Sequence, residues 1–423
     1  MAAKFEALRG MDDILPGETE KWQWLEEKAR IFFEARGFKE IRTPLLEPTE
    51  LFTRTIGEAS DIVHKEMFSF EDRGGRNVTL RPEMTACVAR AVIEHGLLKT
   101  HKSLKLYYTG PMFRAERPQA GRKRQFHQAG VEIINETGLA ADFEAVSSLY
   151  RFLTFAGIEK PGLRINDLGQ AEDQARVAKE LQRYFSGEKA KLCEDCRWRL
   201  EKNVLRIFDC KVESCQPVIQ KAPWDEIAPL GEDFKKLTEE LKTHQIPFEI
   251  RRRLVRGLDY YNGIVFEVSA EGLGAQDAVA GGGRYDRLYT QLGGPVTPCT
   301  GFSIGMERLL TALEKSGQNF SRKIAGRKVY LAPLDSGCKI LGRCQEKALE
   351  LRQRGIRIET TAGETSLSKH LKKANQMGIR FVLVLGPDEI AKGKWAVKDM
   401  DEKKQSEVED EKLAAYLEGV IPS

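Results

Sequence analysis

The sequence has none of the features of a secreted or membrane-embedded protein. Its N-terminal segment lacks the apolar core of a signal peptide, and no apolar run approaches the length that crosses a bilayer. Eight cysteines in 423 residues, without a secretion signal, are typical of reduced thiols in a cytosol. We therefore expect a cytoplasmic protein with no membrane partner.

Several classes of function are disfavoured because the motifs that they require are missing from the sequence. The six histidines are scattered, and no Ser-His-Asp triad is recognisable. The glycine-rich segment at 279–288 (VAGGGRYDRL) lacks the Gly-Lys-Ser/Thr of a P-loop and the glycine spacing of a dinucleotide-binding fold. The sequence contains no internal repeat and no low-complexity tract. The net charge of +4 does not require a polyanionic partner, although it fits one if the positive charge is concentrated locally.

The hydrophobic pattern predicts two domains. Residues 318–327 are polar, basic and without apolar periodicity, which is typical of a linker. Beyond them strands and helices alternate as β-α-β-α-β, which predicts a small domain with a largely parallel sheet. We expect a first domain at 1–322, with a helix-rich insertion at 168–245, and a second domain at 327–423.

A basic loop lies between two predicted strands at 113–133 (FRAERPQAGRKRQFHQAGVEI). Between Arg114 and Arg124 it carries five positive residues and one negative residue, with a proline and a glycine that prevent a regular helix. Arginines on a loop between rigid strands suit phosphate oxygens, which guanidinium groups bind bidentately. The alternative is a solvated surface loop. The second strand places Gln128 and Glu132 beside small residues, where a ligand could lie against the sheet, although Glu132 could also be a surface carboxylate.

Charged residues also mark the starts of two predicted helices. Glu83 and Thr85 follow Arg81-Pro82 and open a helix of small residues. They indicate either helix capping by a first-turn acid or a carboxylate and hydroxyl that bind an ammonium group. In GFSIGMERLL at 301–310, Arg308 lies near the start of a helix. A cation there opposes the helix dipole, so the position indicates an anionic ligand.

The segment RRLVRGLDYYNGIVFEV at 252–268 consists of a polar first half followed by a predicted strand. Its second half alternates as a strand does. Its first half carries Arg256, Asp259, Tyr260 and Tyr261, where small turn residues would suffice. The pattern alone leaves the role of these four side chains open.

Four cysteines are spaced as C-x2-C, thirteen residues, then C-x4-C. They are Cys193, Cys196, Cys210 and Cys215. The spacing is close to that of zinc ribbons, which predicts a structural tetrathiolate site. The residues between the pairs have the pattern of an amphipathic helix and a core strand, which favours buried reduced thiols. A structural zinc ion is therefore the less favoured interpretation, we expect the cluster to be dispensable for catalysis, and no catalytic metal ligands are predicted.

Taken together, these segments resemble the class II aminoacyl-tRNA synthetases over nearly the whole chain. GFKEIRTPLLEP resembles motif 1, residues 113–133 resemble motif 2, and GFSIGMERLL resembles motif 3. LVRGLDYYNGIVFEV and AGGGRYDRL resemble two signatures of the histidyl-tRNA synthetase family. The resemblance implies an α+β catalytic domain on an antiparallel six-stranded sheet with a helical insertion. It also implies a C-terminal α/β anticodon-binding domain of the class IIa type.

The resemblance implies the activity of a histidine–tRNA ligase. Such an enzyme activates L-histidine with ATP to histidyl-adenylate and pyrophosphate, then transfers histidine to the 3′ end of tRNA(His). The implied partners are L-histidine, ATP with Mg²⁺, tRNA(His) and a second copy of the chain, bound through motif 1 as a homodimer.

The same resemblance implies roles for individual residues. Arg256 and Arg114 would act on the reacting carboxylate and α-phosphate. The residues implied to bind ATP are Arg114, Glu116, Arg122 and Arg308. The residues implied to bind histidine are Glu83, Met84, Thr85, Arg114, Gln128, Glu132, Arg256, Tyr260 and Tyr261. Arg117 and Gln119 would contact the tRNA acceptor end, and Met84 stands where many family members have glycine.

Three alternatives are weighed against this interpretation. A non-catalytic paralogue on the same fold typically loses the signature arginine and tyrosines or the C-terminal domain, whereas this sequence retains Arg114, Arg256, Arg308 and that domain. An RNA-binding module that senses uncharged tRNA belongs to a different class of function. Another class IIa synthetase should lack GLDYYNG.

Overall fold

The structure is a computed structural model of the chain. It describes residues 5–57, 60–116, 122–273, 277–318, 320, 328–361 and 363–421. The chain divides into two compact units, residues 1–318 and residues 319–423. The predicted domain limits at 322 and 327 lie outside the described residues, so these limits stay predictions. Within the described ranges, no helix combines the length and apolar character that crossing a membrane requires.

The first unit alternates strands with helices. Its described strands are β1 (Lys39–Glu40), β2 (Leu46–Pro48), β3 (Phe68–Glu71), β4 (Asn77–Leu80), β5 (Leu104–Phe113), β6 (Gln125–Ile134), β7 (Gly162–Asp167), β8 (Glu249–Ile250), β9 (Asn262–Ser269), β10 (Ala278–Arg284) and β11 (Cys299–Gly305). Its described helices are α1 (Thr19–Glu34), α2 (Thr49–Ile56), α3 (Thr85–Glu94), α4 (Leu97–Thr100), α5 (Leu139–Ala156), α6 (Ala171–Gly187), α7 (Glu194–Lys202), α8 (Gln216–Gln220), α9 (Trp224–Ile227), α10 (Glu232–Thr243), α11 (Leu288–Gln291) and α12 (Met306–Lys315).

One large sheet organises this unit. Within the described residues its strand order is β1-β5-β6-β11-β10-β9-β7-β8. The six strands from β5 to β7 are antiparallel to their neighbours, which confirms the predicted six-stranded antiparallel sheet. The two-residue strands β1 and β8 extend its edges in parallel. The motif 1 segment is divided between two sheets: it forms β1 here and β2 in a separate sheet with β4 and β3.

The two faces of the large sheet differ in character. On one face, α1 and α5 supply an aromatic cluster, in which the Phe33 ring lies 5.1 Å from Phe152 and 6.1 Å from Phe302 of β11. On the other face, the cross-strand register aligns small and polar residues into two rows. One row is Glu132, Gly301, Gly283 and Val265, and the other is Gly130, Ser303, Gly281 and Glu267. Because the glycines have no side chain, they leave room for groups to lie on the sheet.

The helices α6 to α10 form the predicted insertion between β7 and β8. The apolar side of α6, with Val177, Leu181 and Phe185, is fully buried. These residues belong to the same core cluster as Tyr260 and Tyr261. The insertion therefore packs on the polar side of the sheet and adds a wall to it.

The second unit is an α/β domain, as the sequence predicts. Its described elements are β12 (Lys328–Pro333), α13 (Cys338–Gln353), β13 (Arg357–Thr360), α14 (Leu367–Gln376), β14 (Phe381–Leu385), α15 (Pro387–Lys392), β15 (Lys394–Asp399), β16 (Lys404–Glu409) and α16 (Leu413–Val420). The strand order is β13-β12-β14-β15-β16, with parallel pairing through the first three strands and antiparallel pairing through the last two. The charged segment after Asp399 forms the turn and outer strand of a hairpin.

Candidate active site

Glu132 lies at the centre of the polar face of the sheet. Its carboxylate is buried, accepts a hydrogen bond from Thr85 Oγ1 at 2.8 Å, and also accepts one from the hydroxyl of Tyr285. The Tyr108 hydroxyl donates a longer bond, at 3.4 Å. Burial raises the pKa of Glu132 to about 8, against the opposing effect of the Tyr285 and Thr85 hydrogen bonds. Glu132 is therefore an interior carboxyl group and not a surface carboxylate.

Glu83 and Thr85 begin α3 beside Glu132. The Glu83 carboxylate accepts hydrogen bonds from the backbone N–H of Thr85 at 2.7 Å and of Ala86 at 2.9 Å, and burial raises its pKa. The capping contact expected of a first-turn acid is thus present. The Tyr260 hydroxyl also donates to Glu83, at 3.5 Å, so the same carboxylate borders the tyrosines of the site.

Met84 differs from its neighbours in where its side chain lies. The side chain is buried, and its sulfur accepts a hydrogen bond from the Thr43 hydroxyl at 3.1 Å. Its side chain is thus held by Thr43, while Glu83 and Thr85 on either side bond to Tyr260 and Glu132. A role of Met84 in histidine binding therefore stays a prediction for its backbone.

Gln128 supplies an unsatisfied acceptor on the same face. Its Nε2 donates to Ser303 Oγ at 3.4 Å, but its Oε1 is buried and has no hydrogen-bond partner among the described residues. Leaving a buried acceptor unpaired costs about 1–3 kcal/mol. A ligand that donates a hydrogen bond to this oxygen would recover that cost.

Arg256 reaches the sheet from the loop before β9. Its Nη1 donates to Glu267 Oε2 at 3.0 Å, and a Cβ on Gly281 would lie 2.4 Å from its Nη2. The guanidinium therefore lies directly against a glycine of the second row. Its Nε is buried, without a hydrogen-bond partner in the described part of the chain. A guanidinium with an unused donor suits an anionic ligand.

Tyr260 and Tyr261 form an aromatic wall with Tyr285. The Tyr260 ring lies 4.8 Å from Tyr261 and 5.7 Å from Tyr285, and all three side chains are buried. Burial raises the pKa of Tyr261 to about 12, although Arg256 lowers it. Tyr261 is therefore a neutral phenol at physiological pH, able both to donate and to accept a hydrogen bond.

The remaining predicted arginines border the site. Arg114 Nε donates to the Pro82 carbonyl at 3.0 Å. Arg122 forms an ion pair with Glu116 at 3.3 Å. Burial lowers the pKa of Arg308, and the nearby Arg122 guanidinium lowers it further. Two guanidinium groups that repel each other define a position where an anion is stabilised.

Some residues of the motifs have structural roles instead. Arg284 is buried and pairs with Asp142 at 2.7 Å and Asp286 at 3.0 Å, which fixes the end of β10. Asp259 accepts a hydrogen bond from Asn203 Nδ2 of the insertion at 2.8 Å, and its backbone N–H donates to the Ile56 carbonyl. Asp259 thus ties the loop that carries Arg256 to its surroundings.

Sequence reasoning missed Tyr108, Tyr285, Ser303 and Glu267 as members of the site. Tyr285 lies in the quoted glycine-rich signature, but its contact with Glu132 depends on pairing across β6, β11 and β10. The predicted tRNA-contacting residues Arg117 and Gln119 lie outside the described residues.

The four cysteines of the insertion lie together. Their sulfur atoms are all within 4.8 Å of one another; Cys193 is half-buried, and Cys196, Cys210 and Cys215 are buried. The interval between the pairs holds α7 and a 3₁₀ turn at Val204–Asp209, where a core strand was expected. The cluster is compatible with a zinc site.

Comparison with known proteins covers almost the whole chain. A family profile described as Histidyl-tRNA synthetase matches residues 10–194 and 208–309, and one described as Anticodon binding domain matches residues 328–419. The histidine–tRNA ligase of Desulforamulus reducens is 43% identical over 414 residues, covering 97% of this chain and 98% of that protein. The histidine–tRNA ligase of Geobacillus thermodenitrificans is 43% identical over 420 residues, covering 98% of each chain.

Solved structures show the same relationship. The crystal structure of the apo histidyl-tRNA synthetase from S. aureus has a TM-score of 0.75 and 30% identity, and the match covers 98% of this chain and 100% of that chain. A structure from Bacillus halodurans is described as an ATP phosphoribosyltransferase regulatory subunit/histidyl-tRNA synthetase. It has a TM-score of 0.63, and the match covers 91% of this chain and 99% of that chain. Its 22% identity shows a shared fold alone. The chain therefore belongs to the histidyl-tRNA synthetase family of class II aminoacyl-tRNA synthetases, with a catalytic domain followed by an anticodon-binding domain.

Proposed function

We propose that the chain is a histidine–tRNA ligase that forms histidyl-adenylate from L-histidine and ATP and then esterifies tRNA(His). The observation that carries the proposal is the polar face of the sheet. There, Glu132, Gln128 and Arg256 lie over the glycine rows. Within the described part of the chain, Gln128 has an unpaired acceptor and Arg256 an unpaired donor. A small ligand with both a cationic and an anionic end fits this arrangement.

Histidine recognition rests on the two imidazole nitrogens. A neutral imidazole offers one N–H donor and one bare acceptor nitrogen. A carboxyl group, Glu132, and a phenol, Tyr261, can bond both nitrogens. The two lie close together: burial is the main cause of the raised pKa of Tyr261, Arg256 opposes it, and Glu132 raises it further. A substrate without these two nitrogens would leave buried polar groups unpaired, which gives the site its selectivity.

The α-ammonium group has its own set of acceptors. Glu83 supplies a carboxylate, Thr85 a hydroxyl, and Gln128 the Oε1 that lacks a partner within the described chain. An ammonium group offers three donors, which matches three acceptors. The backbone at Met84 joins Glu83 to Thr85 and completes this part of the proposed pocket.

The activation step brings two anions together. The histidine carboxylate attacks the α-phosphorus of ATP, and pyrophosphate leaves. Arg256 and Arg114 would hold the carboxylate and the α-phosphate in line and stabilise the negative charge that grows on the phosphorane oxygens. The unused Nε of Arg256 gives this guanidinium a donor to spare, among the residues described, for such an oxygen.

ATP itself would be held by residues at the edge of the site. Arg122 and Arg308 would contact the β- and γ-phosphates, which relieves the repulsion that lowers the Arg308 pKa. Glu116, paired with Arg122, would position that arginine. Magnesium enters as part of the Mg-ATP substrate and neutralises phosphate charge.

The tRNA would contact both domains. Arg117 and Gln119, outside the described residues, are proposed to meet the acceptor end, because a guanidinium suits a phosphate and an amide can bond a base edge. The C-terminal domain, whose family profile is described as anticodon binding, is proposed to meet the anticodon.

A homodimer is supported by an uncovered apolar face. In the sheet β2-β4-β3, Leu46 and Phe68 flank Leu80, while Pro48 and Phe70 flank Val78, so all six share one face. Leu46 and Phe70 are 44% and 49% exposed. A second copy of the chain would cover this face, as the motif 1 resemblance implies.

A cytoplasmic location is proposed on the state of the cysteines. No cysteine is in a disulfide among the described residues, and the four outside the cluster, Cys87, Cys299, Cys338 and Cys344, are distributed over both units. Reduced thiols throughout a chain are typical of a reducing compartment.

The test is tRNA charging. Purified protein is incubated with labelled histidine, ATP, magnesium and tRNA(His), and label on the tRNA is measured against reactions without ATP. ATP-dependent labelling is expected. Protein that binds tRNA(His) but transfers no histidine would indicate an RNA-binding module instead.

A further inference from the structure

The four-cysteine cluster has the dimensions of a metal site. In a tetrahedral zinc tetrathiolate, Zn–S bonds of about 2.3 Å place neighbouring sulfurs about 3.8 Å apart. Cys193 Sγ and Cys210 Sγ are 3.9 Å apart, and all four sulfurs lie within 4.8 Å of one another. Two separate cysteine pairs thus bring their sulfurs to the spacing of four ligands around one ion.

Backbone amides point at the sulfurs. The N–H of Cys193 donates to Cys215 Sγ at 3.1 Å, and the N–H of Val212 donates to Cys210 Sγ at 3.4 Å. Such donors stabilise a negatively charged sulfur and are the outer contacts that orient metal ligands. These two hydrogen bonds are independent of the sulfur spacing, and they favour thiolates at the same place.

Three of the four cysteines, Cys196, Cys210 and Cys215, are buried. Cys196 and Cys215 are fully buried, and they belong to a core cluster that also contains Leu192, Leu200 and Phe208. A site with four protein ligands and apolar surroundings leaves no position for a substrate or water, which is the arrangement of a structural ion and not of a catalytic one.

The segment between the cysteine pairs contacts the loop that carries Arg256. Asn203 donates to Asp259 Oδ1 at 2.8 Å, and Arg206 Nη1 donates to the Arg256 carbonyl at 3.4 Å. Arg206 is itself buried, and it pairs with Asp61 at 3.4 Å. Cys196 and Cys210 lie on either side of Asn203 and Arg206, so whatever holds the sulfurs also holds this segment.

We propose that Cys193, Cys196, Cys210 and Cys215 bind one zinc ion as a structural tetrathiolate, and that the ion holds Asn203 and Arg206 in contact with the Arg256 loop. Asn203 and Arg206 are thus positioning residues. The proposal differs from the expectation in the sequence analysis that the cluster is dispensable for catalysis.

Zinc binding is a ligand exchange without redox chemistry. Four Zn–S bonds form as the ion loses its water ligands, and each bound thiol releases its proton to solvent. The product carries a net charge of about −2, from one Zn²⁺ and four thiolates. Arg199, which interacts electrostatically with Cys196, reduces the cost of that charge.

Metal content is the first test, and it does not depend on the proposed catalytic function. Full-length protein purified under reducing conditions without chelators is analysed by elemental mass spectrometry. About one zinc ion per chain is expected. Cys210→Ser should lose it, whereas Cys338→Ser, at the exposed cysteine of α13, should keep it. Zinc retained by Cys210→Ser, or zinc absent from the parent after incubation with zinc, would overturn the proposal.

Cobalt substitution covers the case in which Cys210→Ser does not fold. The parent protein, grown with Co²⁺, should show a thiolate-to-cobalt charge-transfer band and the strong visible absorption of tetrahedral cobalt. Both signals should disappear when zinc is added in excess. Bound cobalt without a thiolate band would overturn the assignment of these ligands.

The link to Arg256 is tested by hydrogen exchange on the zinc-loaded and zinc-depleted full chain. After depletion, amides at 203–209 and 254–261 should exchange at least about tenfold faster, because local opening becomes easier, while amides at 328–361 should not change. Unchanged exchange at 254–261 in verified zinc-free protein would overturn the positioning role, whether or not the chain activates histidine.

Discussion

Arg256 is the site residue whose surroundings fit a purely structural role least well. It lies on Gly281, pairs with Glu267 and keeps a buried Nε without a partner among the described residues. Arg256→Ala should lower histidine-dependent pyrophosphate–ATP exchange by about a hundredfold or more, because the guanidinium stabilises charge that develops in the transition state. The assay is isotope exchange at saturating ATP and histidine.

The matched control is Arg251→Ala, five residues away. Arg251 is 54% exposed and pairs only with the exposed Glu249 among the charged groups described. That variant should retain exchange within about twofold, the scale of a surface ion pair. Similar losses in both variants would contradict the role assigned to Arg256.

The raised pKa of Glu132 predicts a pH dependence of stability. Its pKa is about 8 in the folded protein and has an ordinary value of 4.5. Between these values the folded state keeps a proton that the unfolded chain releases, so the stability contributed by Glu132 falls as pH rises through this window. Glu132→Gln, which mimics the protonated carboxyl group, should flatten that part of the pH profile.

The measurement is urea unfolding of the ligand-free parent and of Glu132→Gln at about pH 5 and about pH 8. The parent should lose more stability than the variant between these values. Glu249→Gln, at an exposed carboxylate of β8, should follow the parent. Equal slopes for the parent and Glu132→Gln would show that Glu132 is ionised throughout the window.

At the scale of residues, the sequence predicted the chemical character of the site better than it predicted which side chains contact each other there. Arg256, Glu132 and Gln128 stand in motifs whose residue types already indicate a polar ligand site. Tyr108 and Tyr285 could not be predicted in the same way, because each meets Glu132 only through the register of the sheet. Register is fixed by many cross-strand contacts together and not by any short motif.

At the scale of elements, glycines of β10 and β11 keep the sheet open to the site. A Cβ on Gly281 would meet the Arg256 guanidinium at 2.4 Å, and a Cβ on Gly301 would meet Glu132 Oε2 at 2.2 Å. The side chains of Arg256 and Glu132 can lie where they do only because these positions have none.

Gly281→Ala should therefore lower activity more than stability. The clash falls on the end of a flexible arginine, which can move away, so the fold survives while the guanidinium is displaced. A shift of about 1 Å in a catalytic group can cost about a hundredfold in rate. The measurement pairs the exchange assay with thermal unfolding.

Gly187→Ala is the control for this variant. Gly187 ends α6, and a Cβ there would meet nothing within 4 Å. The Gly187→Ala variant should leave the rate of pyrophosphate–ATP exchange unchanged. Full exchange activity in Gly281→Ala would contradict the close contact between Arg256 and β10.

The strands and helices themselves were largely predictable, but their limits were not. The two strands expected on either side of the basic loop run up to Phe113 and begin again at Gln125, because β5 and β6 pair along their full length. The segment before Cys210, expected as a strand, is a 3₁₀ turn held by the Asn203 cap. The apolar pattern of a sequence indicates which residues are buried. Residues of this short turn are buried as those of a strand would be, so the pattern does not distinguish the two.

At the scale of the whole molecule, the apolar face of β2, β3 and β4 predicts self-association. The chain mass is 47.8 kDa, and sedimentation should give a particle of twice that mass. Leu46→Asp combined with Phe70→Asp should shift the equilibrium toward monomer, because buried charge at an interface is costly. Leu349→Asp, at another exposed apolar residue, should leave the dimer intact. A parent that sediments as an active monomer would contradict the proposed interface.

The two-domain organisation and the family were accessible from ordered motifs in the sequence. The role of the insertion was not, because its effect on the site runs through Asn203–Asp259 and Arg206–Arg256 contacts between segments about fifty residues apart. Such contacts become visible only when the sheet brings the Arg256 loop beside the insertion.

The central claim is that this site activates histidine in particular. The most direct measurement is amino-acid-dependent pyrophosphate–ATP exchange with purified protein, run separately with each of the twenty amino acids. Histidine alone should support exchange well above background, because only its side chain pairs with Glu132 and Tyr261 together. Exchange with another amino acid in preference to histidine, or with none, would contradict the account.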